Sequence, residues 1–504
     1  MAATASVSSA AAAGSLWPRS AARSDEGQLE FHGISAAELL EKYGSPLYVL
    51  DTDEVRMRAR NFVSDAQSAF RNITTKASFA AKAFISKEIV RIVSEEGMYV
   101  DTCSAGEMRI ALAAGVPGRR LILHGNNKSD EEIRLAVEND FAKIVLDSPD
   151  EPRRVARIAR ETGKRARVML RVTVGVHAGG HEYISTSHED QKFGVALLAA
   201  GEDSSALEKS ETAVKAIAKG PALSVLKDIL SLQDDLELVG IHSHIGSQIH
   251  DASAFNEAAR RILLLRETLY FTDGFTAPEI DLGGGYSVAY LDSDESMNIK
   301  STFEDIAGTF AKFSRAGLPS PAVSFEPGRS IIAPAGVTLY KVGTVKPVAL
   351  SDGTTRVYVS VDGGMSDNIR PALYDADYTA VLANRANAAE SDVIESNVRR
   401  DDSDENAQAS AEKSAEKSAE TCLARVVGMH CESGDIIVKN VYLPADIKRG
   451  DILAVPATGA YGRTMASNYN QVPRPAVAAV SSEGSHLMIR RETVEDLLSL
   501  DVSQ

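Results

Sequence analysis

Lys82 stands inside an apolar run, with Phe79, Ala80 and Ala81 before it and Ala83, Phe84 and Ile85 after it. An ammonium drawn out of water costs free energy unless it is paired or loses its proton, and an amine with a lowered pKa is the nucleophile that forms Schiff bases. The bland alternative lays the lysine stem on apolar surface and leaves its head in solvent. Other reactive residue types bear on the choice. His242 and His244 form an H-x-H pair, Gly283, Gly284 and Gly285 form a run, and Glu326 lies in FEPGR. The glycines permit close backbone approach and present N–H donors that can cradle a phosphate, with Ser247 and Gly328 as further donors, although such a run can also serve only a tight turn. The histidine pair could bind a metal if carboxylates and a third histidine joined it, with His124 and Asp281 as candidates. It could instead present His244 to a flat aromatic ring. A buried Glu326 needs a cationic partner, which either Arg329 or a pyridinium nitrogen would supply. Amine, phosphate cradle, stacking ring and buried acid together describe pyridoxal 5'-phosphate, with no metal required.

These residues need elements to hold them. Eight strand-like runs, at 76–81, 98–103, 120–125, 143–147, 166–174, 238–246, 279–285 and 322–328, alternate with amphipathic helical segments. Eight such units over about 250 residues predict a closed (β/α)8 TIM-like barrel. An open doubly wound sheet is the alternative, but no Gly-x-Gly-x-x-Gly turn follows the first strand. Barrel active sites gather at the C-terminal strand ends. Lys82 follows the first run, Asp101 and Cys103 end the second, His124 ends the third, and Arg171 lies in the fifth. His242 and His244 close the sixth, the glycines the seventh, and Glu326 to Arg329 the eighth. Residues 175–194 suit a loop over the barrel mouth, and 203–220 a peripheral charged insertion.

Beyond residue 335 the apolar period changes to that of strands, predicting an all-β domain, a sandwich or barrel-like fold that Pro46 to Leu50 joins. The expected plan is a disordered leader over 1–30, a segment 31–50 belonging to the β-domain, the barrel over 51–335, the β-domain over 336–495 and a tail over 496–504. Residues 385–420 interrupt the β-domain with a low-complexity stretch of ten acids and five bases.

At 504 residues, two or three domains are expected. A net charge of −16 argues against nucleic acid as a partner, and no apolar run is long enough to cross a bilayer. Three cysteines, Cys103, Cys422 and Cys431, make no disulfide framework and lack zinc-site spacing, so a reducing, cytoplasmic location is expected. Cys103 and Cys422 read as small buried apolar residues. The Ala- and Ser-rich leader lacks the amphipathic core of a transit peptide.

The segments KASFAAKAF, HSHIGSQ, DLGGGYS, FEPGR, SVDGGMSDNIRPALY, HCESGD and ATGAY, in this order over residues 30–495, resemble the motifs of the diaminopimelate decarboxylases. These belong to the pyridoxal-phosphate decarboxylases of alanine racemase-like fold that also act on ornithine and arginine. The leader and 385–420 depart from the family's usual length. The resemblance implies that Lys82 holds the cofactor, His244 stacks on its ring, and Glu326 faces the pyridine nitrogen. Ser247, Gly284, Gly285, Gly328 and Arg329 would lie around the phosphate, and Tyr461 would reach the cofactor from the β-domain. The substrate, meso-diaminopimelate, would be gripped by Arg329, Arg370, Tyr374, Glu432 and Tyr461. Cys431 of a second subunit would be the proton donor in a homodimer with composite sites, and the product would be L-lysine. A relative acting on ornithine or arginine would have little use for Arg370 and Tyr374. A catalytically silent regulatory homologue would be expected to lack Lys82 or Cys431, and both are present.

Overall fold

The computed structural model describes residues 16–176, 191–313, 318–385 and 421–503. The chain divides into two compact units, one of Val55–Val288 with Glu295–Ile332, the other of Met1–Glu54, Ala289–Asp294 and Ala333–Gln504. The low-complexity stretch 386–420, the first 15 residues and most of the expected mouth loop lie outside the described residues.

The first unit is a barrel of eight parallel strands: β1 (Thr75–Ala80), β2 (Tyr99–Thr102), β3 (Leu121–Leu123), β4 (Lys143–Leu146), β5 (Ala166–Thr173), β6 (Leu236–His242), β7 (Glu279–Asp281) and β8 (Ala322–Phe325). Each pairs with its neighbour in sequence, and β8 pairs with β1, which closes the ring. A two-residue strand, Val195–Ala196, adds to β5. The buried runs are Val-, Ile- and Leu-rich because both faces of a barrel strand are covered. Serines stop the chain after strands and start helices. Ser86, Ser104 and Ser129 each accept the N–H three residues on, opening the helices Lys87–Glu95, Ala105–Ala113 and Asp130–Glu138. The strand ends are thereby held at defined positions, which is what a site built on several strands requires.

Alternation along the strands sorts side chains between the barrel interior and the helices. Ile122, Val145 and Met169 form a small apolar layer inside, with Tyr99 packed on it. Lys143 on β4 meets Glu279 on β7 and Ser324 on β8, a contact between non-neighbouring strands that only the interior permits. The interior is therefore mixed, with charge set directly against apolar packing.

The second unit is a nine-stranded sheet. Its main path runs Ile436–Pro444, Thr421–Val427, Thr355–Val361, Gly336–Ala349, Leu47–Asp51, Ala476–Ser481 and Gly484–Ile489, with Ile452–Val455 and Val381–Leu382 attached beside it. Leu47–Asp51 lies at its centre, antiparallel to Gly336–Ala349 and parallel to Ala476–Ser481, so Pro46 to Leu50 joins this sheet as the sequence predicts. No described helix is long and apolar enough to cross a membrane.

Two expectations need correction. Residues 16–30 are not a structureless leader: Ala21–Arg23 and Leu29–Phe31 pair antiparallel, Leu29 and Phe31 are buried, and Trp17 packs on the same cluster. Their apolar side chains are few and widely spaced, which hid the pattern. A tail beginning at 496 would also cut the helix Val494–Leu498, which opens on a Thr493 capping box.

The cluster around Leu47, Val49, Leu39 and Val337 carries this unit's core. Leu47 is fully buried. Leu47→Ala is expected to cost about 2–5 kcal/mol. Urea unfolding followed by the fluorescence of Trp17, the one tryptophan in the chain, checks it.

Candidate active site

Glu326, directly beyond β8, is 7 % exposed and has two imidazoles on its carboxylate. His242 Nε2, at the end of β6, lies 3.1 Å from Oε2, and His124 Nε2, just past β3, lies 2.9 Å from Oε1. The two rings meet edge to face at 5.2 Å. Asp101 on β2 stands 3.5 Å from His124 Nε2. Burial alone would push the Glu326 carboxyl up, but the two imidazoles outweigh it and hold Glu326 well below the usual carboxylate range. Burial pushes His124 down, yet Asp101 and Glu326 more than reverse this and its pKa rises. Asp101 is pushed up to about 7, by burial first, with His124 opposing. The rim thus holds one firmly ionised carboxylate and one poised to carry a proton near neutral pH.

His244 is half-buried two residues beyond β6. Burial, followed by the charges of Lys82 and Arg171, lowers its pKa well below the ordinary value, so the ring is neutral. Its Nδ1 accepts the N–H of Gly284 at 3.1 Å, which leaves Nε2 carrying the ring proton. The glycine turn that donates this bond cannot be built from other residues. A Cβ on Gly284 would lie 2.1 Å from the Glu326 carbonyl oxygen, and Gly283 and Gly285 both have positive φ, 65° and 118°. The Gly283 N–H is held by Asp281 Oδ1 at 3.0 Å. Beside the turn, Arg329 Nη2 donates to Ser247 Oγ at 2.9 Å, and Gly328 packs so closely that a Cβ would sit 3.0 Å from that of Ala80.

Lys82 occupies the turn after β1 and is exposed. The apolar run around it is real, with Phe79, Ala81 and Ala83 fully buried, while the lysine itself is exposed and its charge reaches Asp101 and His244 at the rim. Cys103 is likewise exposed and Cys422 half-buried, so neither is the small buried apolar residue expected from sequence. Cys103 Sγ lies 3.2 Å from Glu107. His124, His242 and Glu326 have ligand atoms within 4.8 Å of one another, the reach of a single cation. Those atoms face each other as an acid and its imidazole partners, so the metal reading of the H-x-H pair takes in His124 but loses both His244 and Asp281.

The second unit carries the remaining candidates. Arg370 is buried at the start of the short helix Arg370–Tyr374, with its guanidinium over the Tyr290 ring at 4.5 Å and a hydrogen bond to the Tyr378 hydroxyl. Tyr374 is half-buried at the end of that helix. Cys431 is exposed, and its N–H donates to Asn470 Oδ1 at 3.1 Å. Glu432 is exposed, its N–H donating to the His430 carbonyl at 2.8 Å. Tyr461 sits at φ 61°, in the left-handed region. Sequence reasoning missed the support beneath Cys431. His430 is buried, its Nδ1 2.9 Å from Asp435 Oδ2 and its ring stacked on Tyr469. Asp435 also accepts the N–H groups of His430 and Met365, at 2.8 and 2.6 Å. The string HCESGD contains both residues, but only the fold shows that one carboxylate ties the turn together.

The barrel residues fit pyridoxal phosphate on their own terms. Each oxygen of the buried Glu326 carboxylate carries a lone pair beyond its imidazole contact, so acceptor capacity remains for a ring N–H. The glycine turn, Ser247 and Arg329 make a donor-rich cradle that no Cβ fills.

Comparison with known proteins agrees. Residues 55–333 match the family model described as pyridoxal-dependent decarboxylase, pyridoxal binding domain. The chain is 42 % identical to the diaminopimelate decarboxylase of Corynebacterium efficiens, over 97 % of this chain and 94 % of that one. It is 42 % identical to that of Mycobacterium bovis over 97 % and 98 %. Among solved structures, the diaminopimelate decarboxylase of M. jannaschii in co-complex with L-lysine superposes with a TM-score of 0.78 at 27 % identity, covering 97 % of this chain and 98 % of that one. A barrel with this rim, a second sheet unit and likeness along nearly the whole length lead to one conclusion: the chain belongs to the diaminopimelate decarboxylases of the pyridoxal-dependent decarboxylase family.

Proposed function

We propose that the chain removes carbon dioxide from meso-2,6-diaminopimelate to give L-lysine, the last step of lysine biosynthesis, with pyridoxal 5'-phosphate as cofactor. The observation that carries this reading is a buried carboxylate, Glu326, kept ionised by two imidazoles on a rim that also bears a lysine and a glycine cradle. The M. jannaschii relative bound to L-lysine supports lysine as the product. When bound, the cofactor supplies a covalent anchor for the substrate amine and an electron-withdrawing ring that accepts the electron pair left by departing carbon dioxide.

This chain's own residues set the conditions for that chemistry. Lys82 provides the amine that tethers the cofactor. Glu326 accepts the ring N–H and keeps the nitrogen protonated, which favours loss of carbon dioxide over the weaker electron withdrawal a racemase uses. Neutral His244 offers a flat face with its proton on Nε2, and Gly284, Gly285, Ser247, Gly328 and Arg329 lie around the phosphate, with the Arg329 fork as its charged donor. Tyr461 contributes to both cofactor and substrate binding. For the substrate's far end, the arginine forks of Arg329 and Arg370 suit the second carboxylate, Tyr374 adds a hydroxyl, and Glu432 suits the ammonium. Cys431 delivers the proton to the α-carbon, as part of a homodimer whose composite sites take it from the second copy. Three free thiols support a cytoplasmic location.

The deciding experiment compares carbon dioxide release from meso-diaminopimelate with release from ornithine, with the product identified. A preference for ornithine overturns the substrate assignment. Lys82→Ala is expected to abolish the visible absorbance of bound pyridoxal phosphate and the borohydride-fixed label at that position. Cys431→Ala keeps the absorbance but lowers kcat by roughly 10²–10⁴-fold, the usual weight of a positioned proton donor. Mixing the two inactive variants should restore part of the activity. Complete silence after proven subunit exchange would refute sites shared across a dimer.

A further inference from the structure

Lys143 is 2 % exposed, yet the proposed mechanism gives it no task. From β4 its ammonium crosses the barrel interior to pair with Glu279, lies 3.2 Å from Asp281 Oδ2 and reaches Ser324 Oγ at 3.4 Å. Glu279 has a second cation in Lys76, at 2.5 Å, so it does not depend on Lys143 alone. Asp281 is the link onward. Its other oxygen holds the Gly283 N–H at 3.0 Å, the next amide, Gly284, donates to His244 Nδ1 at 3.1 Å, and the Gly283 carbonyl accepts the Glu326 N–H at 2.7 Å. One continuous set of contacts therefore runs from a buried ammonium to the glycine turn, the stacking ring and the buried acid. Packing does not demand a lysine there, because the same interior is filled one layer on by Ile122, Val145 and Met169.

We propose that Lys143 is a positioning residue for the cofactor site, holding Asp281 ionised so that Asp281 in turn holds the glycine turn and His244. The inference rests on the pyridoxal phosphate reading. The groups facing Asp281 come from every side: Glu279 on its own strand, Lys143 from β4, His242 from β6, Glu326 from β8, and Tyr286 beyond the turn. His124 also lies within its field. Burial and then Glu326 drive Asp281 towards its neutral form, while Lys143 and His242 oppose them. Without Lys143, Asp281 takes up a proton more readily and becomes a poorer acceptor for the Gly283 N–H. Raising the pH ionises it again and restores the bond.

Equilibrium dialysis with pyridoxal 5'-phosphate tests this on the wild-type chain and on Lys143→Met, Asp281→Asn and the double variant, with circular dichroism as the folding check. Lys143→Met together with Glu279→Gln serves as the charge-balanced substitute should Lys143→Met fail to fold. Lys143→Met and Asp281→Asn are each expected to raise the Kd about tenfold or more, in the range of losses when a supporting partner is removed. The Lys143→Met deficit shrinks as the pH rises from about 6 to about 9, and the Asp281→Asn deficit does not. Adding Lys143→Met to Asp281→Asn costs nothing further, because the two act through one link. An unchanged Kd, a deficit of Lys143→Met that is constant with pH, or full additivity of the two substitutions overturns the proposal. If the wild-type chain itself binds no pyridoxal phosphate, the cofactor reading falls and this inference falls with it.

Discussion

A carboxylate removed from water must be paired, since leaving an ion uncompensated in a protein interior costs several kcal/mol. Glu326 meets that constraint with His124 and His242, and the pairing depends on the closed barrel. The three residues lie at the ends of β8, β3 and β6, strands that are not neighbours in the ring. Only a sheet wrapped on itself brings those ends to one point. Once the barrel closes, the acid is fixed in position and in charge, and the glycine turn can be hung between it and His244. Gly283 accepts from the Glu326 N–H and Gly284 donates to His244, so backbone and side chains define one rigid rim.

The second unit solves an equivalent problem with a different carboxylate. Asp435 accepts from His430 through both main chain and ring and from Met365 through its amide, beneath the turn that bears Cys431 and Glu432. Its carboxylate lies where side chains at 364 and 428 would be. A Cβ on Gly428 would come within 2.2 Å of it, and one on Gly364 within 2.5 Å. Both units therefore use glycine to allow a close approach, of the Glu326 carbonyl to Gly284 in the barrel and of the Asp435 carboxylate to Gly364 and Gly428 in the sheet unit, where it holds the loop that bears Cys431 and Glu432.

The eight strands were legible because alternating strands and amphipathic helices are a local pattern, and each observed strand falls within two residues of its expected start. Leu47–Asp51 was legible for the same reason, as a compact apolar run after Pro46. The site residues were legible as types placed at strand ends. What sequence did not carry was pairing across the barrel. Glu326 was expected to face Arg329 or a cofactor and instead has two histidines, and nothing local to Lys143 marks its reach across the barrel to Glu279. The exposure of Lys82 stayed open in the sequence because a hydrophobic run signals that its neighbours are buried without saying which way a lysine among them points. Residues 16–30 were missed because strands of three residues give too few alternations to register a period.

The interior holds more acid than it can ionise at once, and the order in which protons are taken up follows from the partners. Glu326, Asp101 and Asp281 each feel the others, and burial disfavours charge on all three. Glu326 alone has an imidazole on each oxygen, so it keeps its charge. Asp101 shares only His124 and stands at about 7, and Asp281 is raised although Lys143 lies 3.2 Å away. Protons arriving as the pH falls therefore go to the two flanking aspartates before they reach Glu326. These aspartates shield the group whose ionisation the proposed chemistry needs, and the rim can change its total charge around neutrality without losing that carboxylate.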